Sequence, residues 1–401
     1  MDASDPFRGV NLFDPSFRED PHPGFARLRA RYPVDMMPFG MWRLARYADC
    51  VRLLREVPTG VRRADGSTRA EGVLPPDIGP GRFMLQQDPP THTRLRKLVS
   101  KAFTPRAVER LRAQVQVLTD RLVDRALDKG EMDVIADLAL PVPSTVICEM
   151  MGVPAADRER FTDWTARATH LLGAPMVPPE RLAAGIEASR ALNAYFAELI
   201  AERRRAPRED MLSDLVRATD AGDRLSPEEL LTQAAGLLIA GFETTIGLIG
   251  NGVLQLVRHP AELAKLRANP AGIGAAVEEC LRFDGPILLT VRVLREATQF
   301  GDTLIPRDAE VMALLSSANR DPAKFADPER FDVERTPNEH LAFGGGVHFC
   351  LGAHLARMEA QVAIGTLVRR AAKLELGSER LVWGPSLFRV LARLPLRVAA
   401  A

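Results

Sequence analysis

Residues 343–354 read FGGGVHFCLGAH: three consecutive glycines, a histidine, then a lone cysteine followed by another Leu-Gly pair. A packing cysteine sits among bulky side chains, whereas this one is set in bare backbone. Glycine costs chain entropy wherever its freedom is not needed, so a triplet marks a loop that must lie close against something. Cys350 stands just before a predicted helix running from Leu351 to about Ala372. Amide groups at a helix start favour an anion, which predicts a depressed thiol pKa. Five uses of the thiol are open. It is a structural cysteine at a tight turn, or a nucleophile with His348 as its base, although a base needs a third group to orient it. It is a zinc ligand together with His340, His348 or His354, although the spacing matches no finger or ribbon. It belongs to a phosphate loop, although Gly344-Gly345-Gly346 lacks the following Lys-Ser/Thr. Or it is the axial ligand of a haem: glycine lets backbone approach a flat macrocycle, and amide donors hold a thiolate's charge.

The rest of the chain bounds the choice. Its 401 residues contain 46% apolar side chains, enough for a large core. The formal charge of +1 and the lack of a charged tail give no reason to expect a nucleic-acid or membrane-surface partner. The opening MDASDPFRGV lacks a basic stretch followed by an apolar run, so no signal peptide is expected. Cys50, Cys148, Cys280 and Cys350 form no paired framework, which suits a reducing cytoplasm.

Residues 33–45 read as two short strands around a Pro-Phe-Gly turn. A helix is expected over residues 105–127, and residues 173–180 read as a Pro-rich connector. Ser226-Pro-Glu-Glu229 is a helix start with serine at the N-cap and glutamate at N3. The helix it opens runs to about Arg258, and its Leu230–Val257 stretch carries Glu243 and three amide or carboxamide-bearing neighbours too polar for lipid. It is therefore a buried helix threading the molecule's middle. Residues 291–315 turn strand-like, with a turn at 305–308. The expected fold class is mainly α with small β-sheets, as one domain over residues 1–401.

The cysteine loop resembles that of the bacterial cytochrome P450 monooxygenases, matching F-x-x-G-x-x-x-C-x-G at Phe343, Gly346, Cys350 and Gly352. Four further segments in the family's order strengthen the likeness, which spans nearly the whole chain from Asp88 to Ser386. The resemblance implies the P450 fold, a triangular prism with haem b between the long central helix and the cysteine-loop helix. Cys350 would be the iron ligand, with Phe343, Gly344, Gly352 and Ala240 beside the cofactor. Glu279 and Arg282 fit the family's E-x-x-R, and Arg330 in Asp327-Pro-Glu-Arg-Phe331 would join them in a buried bracing network. Glu278 also lies four residues before Arg282; only the family register selects Glu279. In Ala240-Gly-Phe-Glu-Thr-Thr245, Gly241 would open a groove. Thr244 would donate a hydrogen bond at the oxygen-activating site, and Glu243 would relay protons. His92 and Arg96, spaced i,i+4, would anchor haem propionates with Arg292 and His348.

The implied activity is insertion of one oxygen atom from O2 into an apolar small molecule, by hydroxylation or epoxidation. Electrons would come from a separate ferredoxin system, since 51 residues follow Cys350, too few for a reductase domain. Arg94, Lys97, Lys101, Arg106 and Arg357 are the candidate docking cations, and a monomer is expected. Alternative readings are a peroxide-using enzyme, against which Glu243 and Thr244 weigh, and a haem-binding protein without turnover. By family analogy the substrate pocket is walled by Phe83, Met84 and Leu85, by Leu171, Leu172 and Met176, by Ile287, Leu288 and Leu289 with Thr290, and by Leu387 in Ser386-Leu-Phe388. These apolar walls suit a terpenoid, steroid, macrolide or fatty acid.

Overall fold

The computed structural model describes all residues except 1–6, 12–13, 69–71, 76, 79–82, 175–176, 221–222, 378–379, 385–387 and 401. Met176, Ser386 and Leu387 of the expected pocket therefore lie outside the described residues.

The central helix runs from Pro227 to Arg258, 32 residues or about 48 Å at the rise of an α-helix. Its start is fixed by a full capping box: Glu229 N–H donates to Ser226 Oγ at 3.1 Å, and Ser226 N–H donates to Glu229 Oε2 at 2.8 Å. His259-Pro260 ends it, because proline cannot continue the hydrogen-bond ladder. The helix is long and apolar enough to cross a membrane, yet 72% of its most apolar window is buried within the fold. The largest hydrophobic cluster forms around it, drawing on Leu238, Ile246, Leu248, Ile249 and Leu254. Helices Pro179–Arg205, Ile273–Asp284 and Ala353–Arg370 pack against it.

Two differences from the sequence reading concern helix ends. The helix expected over 105–127 is broken into Pro105–Glu109 and Arg112–Lys129. Thr104 Oγ1 caps the first piece by accepting from Ala107 N–H at 3.2 Å. The helix after Cys350 starts at Ala353, not Leu351, and gives way at Ala371 to a strand over Ala371–Leu376. That strand pairs antiparallel with Pro395–Ala400, which also pairs with Glu131–Asp133.

A second sheet has five strands. Its order is Val34–Met36, Trp42–Leu44, Glu310–Ala313, Thr290–Leu294 and Thr59–Gly60. The first two strands form the hairpin expected around Pro38-Phe39-Gly40. Glu310–Ala313 runs parallel to Trp42–Leu44 and antiparallel to Thr290–Leu294, placing Arg292 opposite Val311. Strand alternation aims Arg292 to the face shared with Thr290. The predicted turn at 305–308 is present, with Asp308 at φ 62°.

Candidate active site

One cavity of about 640 Å³ joins the cysteine loop, the middle of the central helix and the Thr290–Leu294 strand. The cysteine loop is closed by its own backbone: Cys350 N–H donates to Phe343 O at 3.0 Å and Phe349 N–H to Gly346 O at 3.1 Å. Gly346 has φ 67°, and a Cβ there would come within 2.2 Å of Leu54 O, so no other residue fits without moving that chain. Gly344, at φ 72°, lines the cavity together with Phe343, Cys350 and Gly352. The opening glycines thus serve both curvature and close approach.

Cys350 is exposed, whereas Cys50, Cys148 and Cys280 are buried. The exposure is to the cavity; protein surrounds the sulfur otherwise. Burial raises its thiol pKa, against the pull of the Gly352 N–H and of Arg96 and Arg357. This corrects the expected depression. The helix begins three residues beyond the cysteine, so its end contributes little, and desolvation outweighs the nearby donors.

The four expected anchoring residues converge on the same cavity. The His92 and His348 rings lie 4.3 Å apart. Arg96 Nη2 donates to Phe349 O at 2.7 Å, tying the Thr91–Ser100 helix to the cysteine loop. Arg292 Nη1 donates to Thr290 Oγ1 at 3.0 Å and Val291 O at 2.8 Å. Burial brings the Arg292 guanidinium down to about 10, with Asp88 opposing. Burial also pushes the His348 imidazole down to about 3, helped by Arg292, His92 and Arg96. His92 Nδ1 and His348 Nε2 are buried and have no hydrogen-bond partner. Four cationic or donor groups crowded around orphaned ring nitrogens suit an anionic, oxygen-bearing guest. A planar macrocycle with two carboxylates and an iron for Cys350 meets that demand, so these residues fit haem. Among the described residues no cluster of three or more His, Cys, Asp or Glu suitable for a bare metal ion occurs, which disfavours the zinc reading.

On the central helix, Ala240, Gly241, Thr244 and Thr245 line the cavity. A Cβ on Gly241 would touch only Ile147 Cδ1, at 3.9 Å, so the space beside it is open as expected. Thr244 Oγ1 donates to Ala240 O at 3.0 Å and Thr245 Oγ1 to Gly241 O at 3.3 Å. Glu243 is half-buried but is not among the residues lining the cavity. Successive helical residues point about 100° apart, so Glu243 looks aside from the wall that Thr244 forms.

The bracing network holds in outline and changes in one member. Arg282 grips Glu279 through two bonds of 2.7 Å, with both side chains fully buried. Arg330 does not join through its side chain, which is 57% exposed and reaches only Asp332 at 3.9 Å. Its carbonyl accepts from Arg282 Nη2 at 3.1 Å instead. The third cation on Glu279 is Arg335, at 3.2 Å and 10% exposed, and Asn338 Nδ2 adds a bond of 3.1 Å. Glu278 has a separate task. It takes Arg357 in two bonds of 2.7 Å and His340 at 3.1 Å. Burial alone would raise the Glu278 carboxyl, but Arg357 and His340 prevail and hold it at about 2. Arg357 in turn lies over the Phe343 ring at 4.4 Å, so Glu278 steadies the start of the cysteine loop. Its pairing is hidden in sequence because the partners lie 62 and 79 residues away.

The apolar walls meet around this constellation: Phe83, Met84 and Leu85 from one turn, Leu171 and Leu172 from another, and Ile287, Leu288 and Leu289 before the sheet strand. Met84 N–H donates to Gln233 Oε1 at 3.1 Å, fixing the first turn to the central helix. Two of the five expected docking cations are engaged elsewhere, Arg94 with Glu229 and Arg357 with Glu278. Lys97, Lys101 and Arg106 are exposed.

The comparisons with known proteins agree with this geometry. The cytochrome P450 family model matches residues 76–271 and 273–373. Cytochrome P450 107B1 of Saccharopolyspora erythraea is 42% identical, over 97% of this chain and 97% of that protein. The cytochrome P450 monooxygenase PikC of Streptomyces venezuelae is 41% identical, over 98% and 95%. Among solved structures, P450BioI in complex with hexadec-9Z-enoic acid-ligated acyl carrier protein superposes with a TM-score of 0.89 at 38% identity, covering 96% of this chain and 99% of that one. The cysteine loop, the buried E-x-x-R pair and the cations expected to anchor haem thus sit in a fold and sequence shared along almost its whole length, and the chain belongs to the cytochrome P450 family of haem-thiolate monooxygenases.

Proposed function

We propose that this monooxygenase inserts one oxygen atom from O2 into an apolar small molecule, by hydroxylation or epoxidation, with electrons from a separate ferredoxin and its reductase. The observation that carries the reading is that one cavity is lined at once by Cys350, by the four haem anchors and by the Phe83, Leu171 and Ile287 walls. A greasy guest held there loses water and gains about 25 cal/mol for each Å² of apolar surface buried. The related P450BioI is seen in complex with acyl carrier protein carrying hexadec-9Z-enoic acid, an apolar chain. A terpenoid, steroid, macrolide or fatty acid fits the same description.

When bound, haem supplies the oxygen-activating chemistry. The chain's own residues do the rest. Cys350 would ligate the haem iron as a thiolate, and His92, Arg96, Arg292 and His348 would hold the haem carboxylates through charge-assisted hydrogen bonds. Thr244 keeps a hydroxyl proton at the cavity wall, parked on Ala240 O. Glu243, one residue earlier and off the cavity wall, would relay protons toward Thr244, and the apolar walls keep bulk water out. Exposed Val347 on the cysteine loop, together with the exposed cations Lys97, Lys101 and Arg106, favours an acidic ferredoxin with an apolar contact point.

Thr244→Ala tests the proton-delivery role. With ferredoxin, reductase and a turned-over substrate, coupling of reductant to product is expected to fall several-fold while hydrogen peroxide rises. Unchanged coupling would remove Thr244 from proton delivery and favour a peroxide-driven enzyme.

A further inference from the structure

We propose that Ser189 and Asn193 form a polar anchor beside the greasy walls of the cavity, reading a carbonyl or hydroxyl oxygen that the substrate carries apart from the carbon being oxidised. The inference rests on the apolar-substrate reading and narrows it to a hydrophobic molecule bearing at least one neutral oxygen function.

Both residues belong to the Pro179–Arg205 helix, four positions apart, and therefore share one face. Both line the cavity. Gly185, one turn earlier on that face, sits so close to the Leu171 wall that a Cβ there would meet Arg167 O at 3.0 Å and Leu171 Cδ2 at 3.1 Å. The face is thus seated against the cavity wall and not turned to solvent. Arg190, next to Ser189, is taken up by Asp77 at the cavity's edge, at 2.9 Å.

Hydrogen-bond bookkeeping sets the two side chains apart. The cavity threonines of the central helix spend their protons on their own helix: Thr232 on Glu228 O at 2.8 Å, Thr244 on Ala240 O at 3.0 Å, and Thr245 on Gly241 O at 3.3 Å. Among the described residues, neither the Ser189 hydroxyl nor the Asn193 amide makes such a bond. Asn193 therefore offers two N–H donors and a carbonyl acceptor to the cavity, and Ser189 offers one donor. An amide left against apolar walls adds nothing to packing and costs desolvation when a ligand expels its water. That cost is recovered only by a ligand that supplies an oxygen. One such bond in a dry site is worth about a factor of ten in affinity, and a site built around it penalises the analogue that lacks it.

The test uses haem-loaded protein and three matched rings: cyclododecanone, cyclododecanol and cyclododecane. Dissociation constants come from calorimetry and from the substrate-induced shift of the haem spectrum. The wild type is expected to bind the oxygenated rings about tenfold more tightly than the hydrocarbon. Asn193→Leu should bring that ratio close to one while hydrocarbon binding stays level or improves; Ser189→Ala should remove a smaller part. Equal affinities in the wild type, or a preference that survives both substitutions while cyclododecane still binds, would overturn the anchor. If none of the rings binds although thiolate-ligated haem is intact, the apolar-substrate reading itself fails and the anchor falls with it.

Discussion

Glu359 shows how sharply a single residue can be set by its surroundings. It lies in the helix that follows the cysteine loop, 2% exposed, and burial alone pushes its carboxyl up to about 8. Folding therefore takes up a proton at this site between the ordinary value near 4.5 and about 8. Stability is greatest below that window and falls as pH rises through it, by about 1.4 kcal/mol per pH unit. Glu359→Gln keeps the shape and removes the titration. Its advantage over the wild type in urea unfolding should be small at pH 5 and grow to about 4 kcal/mol by pH 8. A difference that stays flat with pH would mean that some partner already compensates the charge. Cys350 follows the same desolvation rule in the opposite functional direction. Its neighbours ease, but do not cancel, the cost of a thiolate, and an iron centre would complete the compensation.

At the scale of elements, the Ile273–Asp284 helix carries two adjacent glutamates with different duties, Glu279 for the buried brace and Glu278 for the cysteine loop. The E-x-x-R pair was legible only through the family register, since spacing alone also allowed Glu278 with Arg282 at i,i+4. Arg335 was not legible, because its approach to Glu279 depends on how the loop after Phe331 folds back, a contact over 56 residues. The consequence is a contrast between two arginines. Arg335→Leu leaves a buried carboxylate short of a cation and should cost roughly 3–5 kcal/mol. Arg330→Leu, whose side chain is mostly in solvent, should stay within about 0.5 kcal/mol. Denaturant unfolding of the two variants checks this; equal losses would restore Arg330 to the network. The long central helix was fully legible, since its capping box and closing His-Pro are local signals. The break at 110–111 and the late start at Ala353 were not, since tertiary packing sets such helix ends more than composition does.

Across the whole molecule, the site exists because distant segments are tied together. Arg389 Nε donates to Asp284 at 2.6 Å, Asn251 Nδ2 to Arg389 O at 2.8 Å, and Arg18 Nη1 to Gly384 O at 2.7 Å. These bonds bind both ends of the chain to the central helix beside the cavity. None has a sequence signature. Cys350 stood out through its glycine-flanked loop, whereas His92, Arg96, Arg292 and His348 were legible only through the family resemblance, and the meeting of all five in one cavity is a property of the fold. Everything functional then depends on Cys350 binding haem iron as a thiolate. The most direct measurement is the absorption spectrum of the reduced, haem-loaded protein under carbon monoxide. The expected result is the strongly red-shifted Soret band of thiolate ligation, abolished in Cys350→His. A colourless protein, or a band characteristic of nitrogen ligation in the wild type, would contradict it.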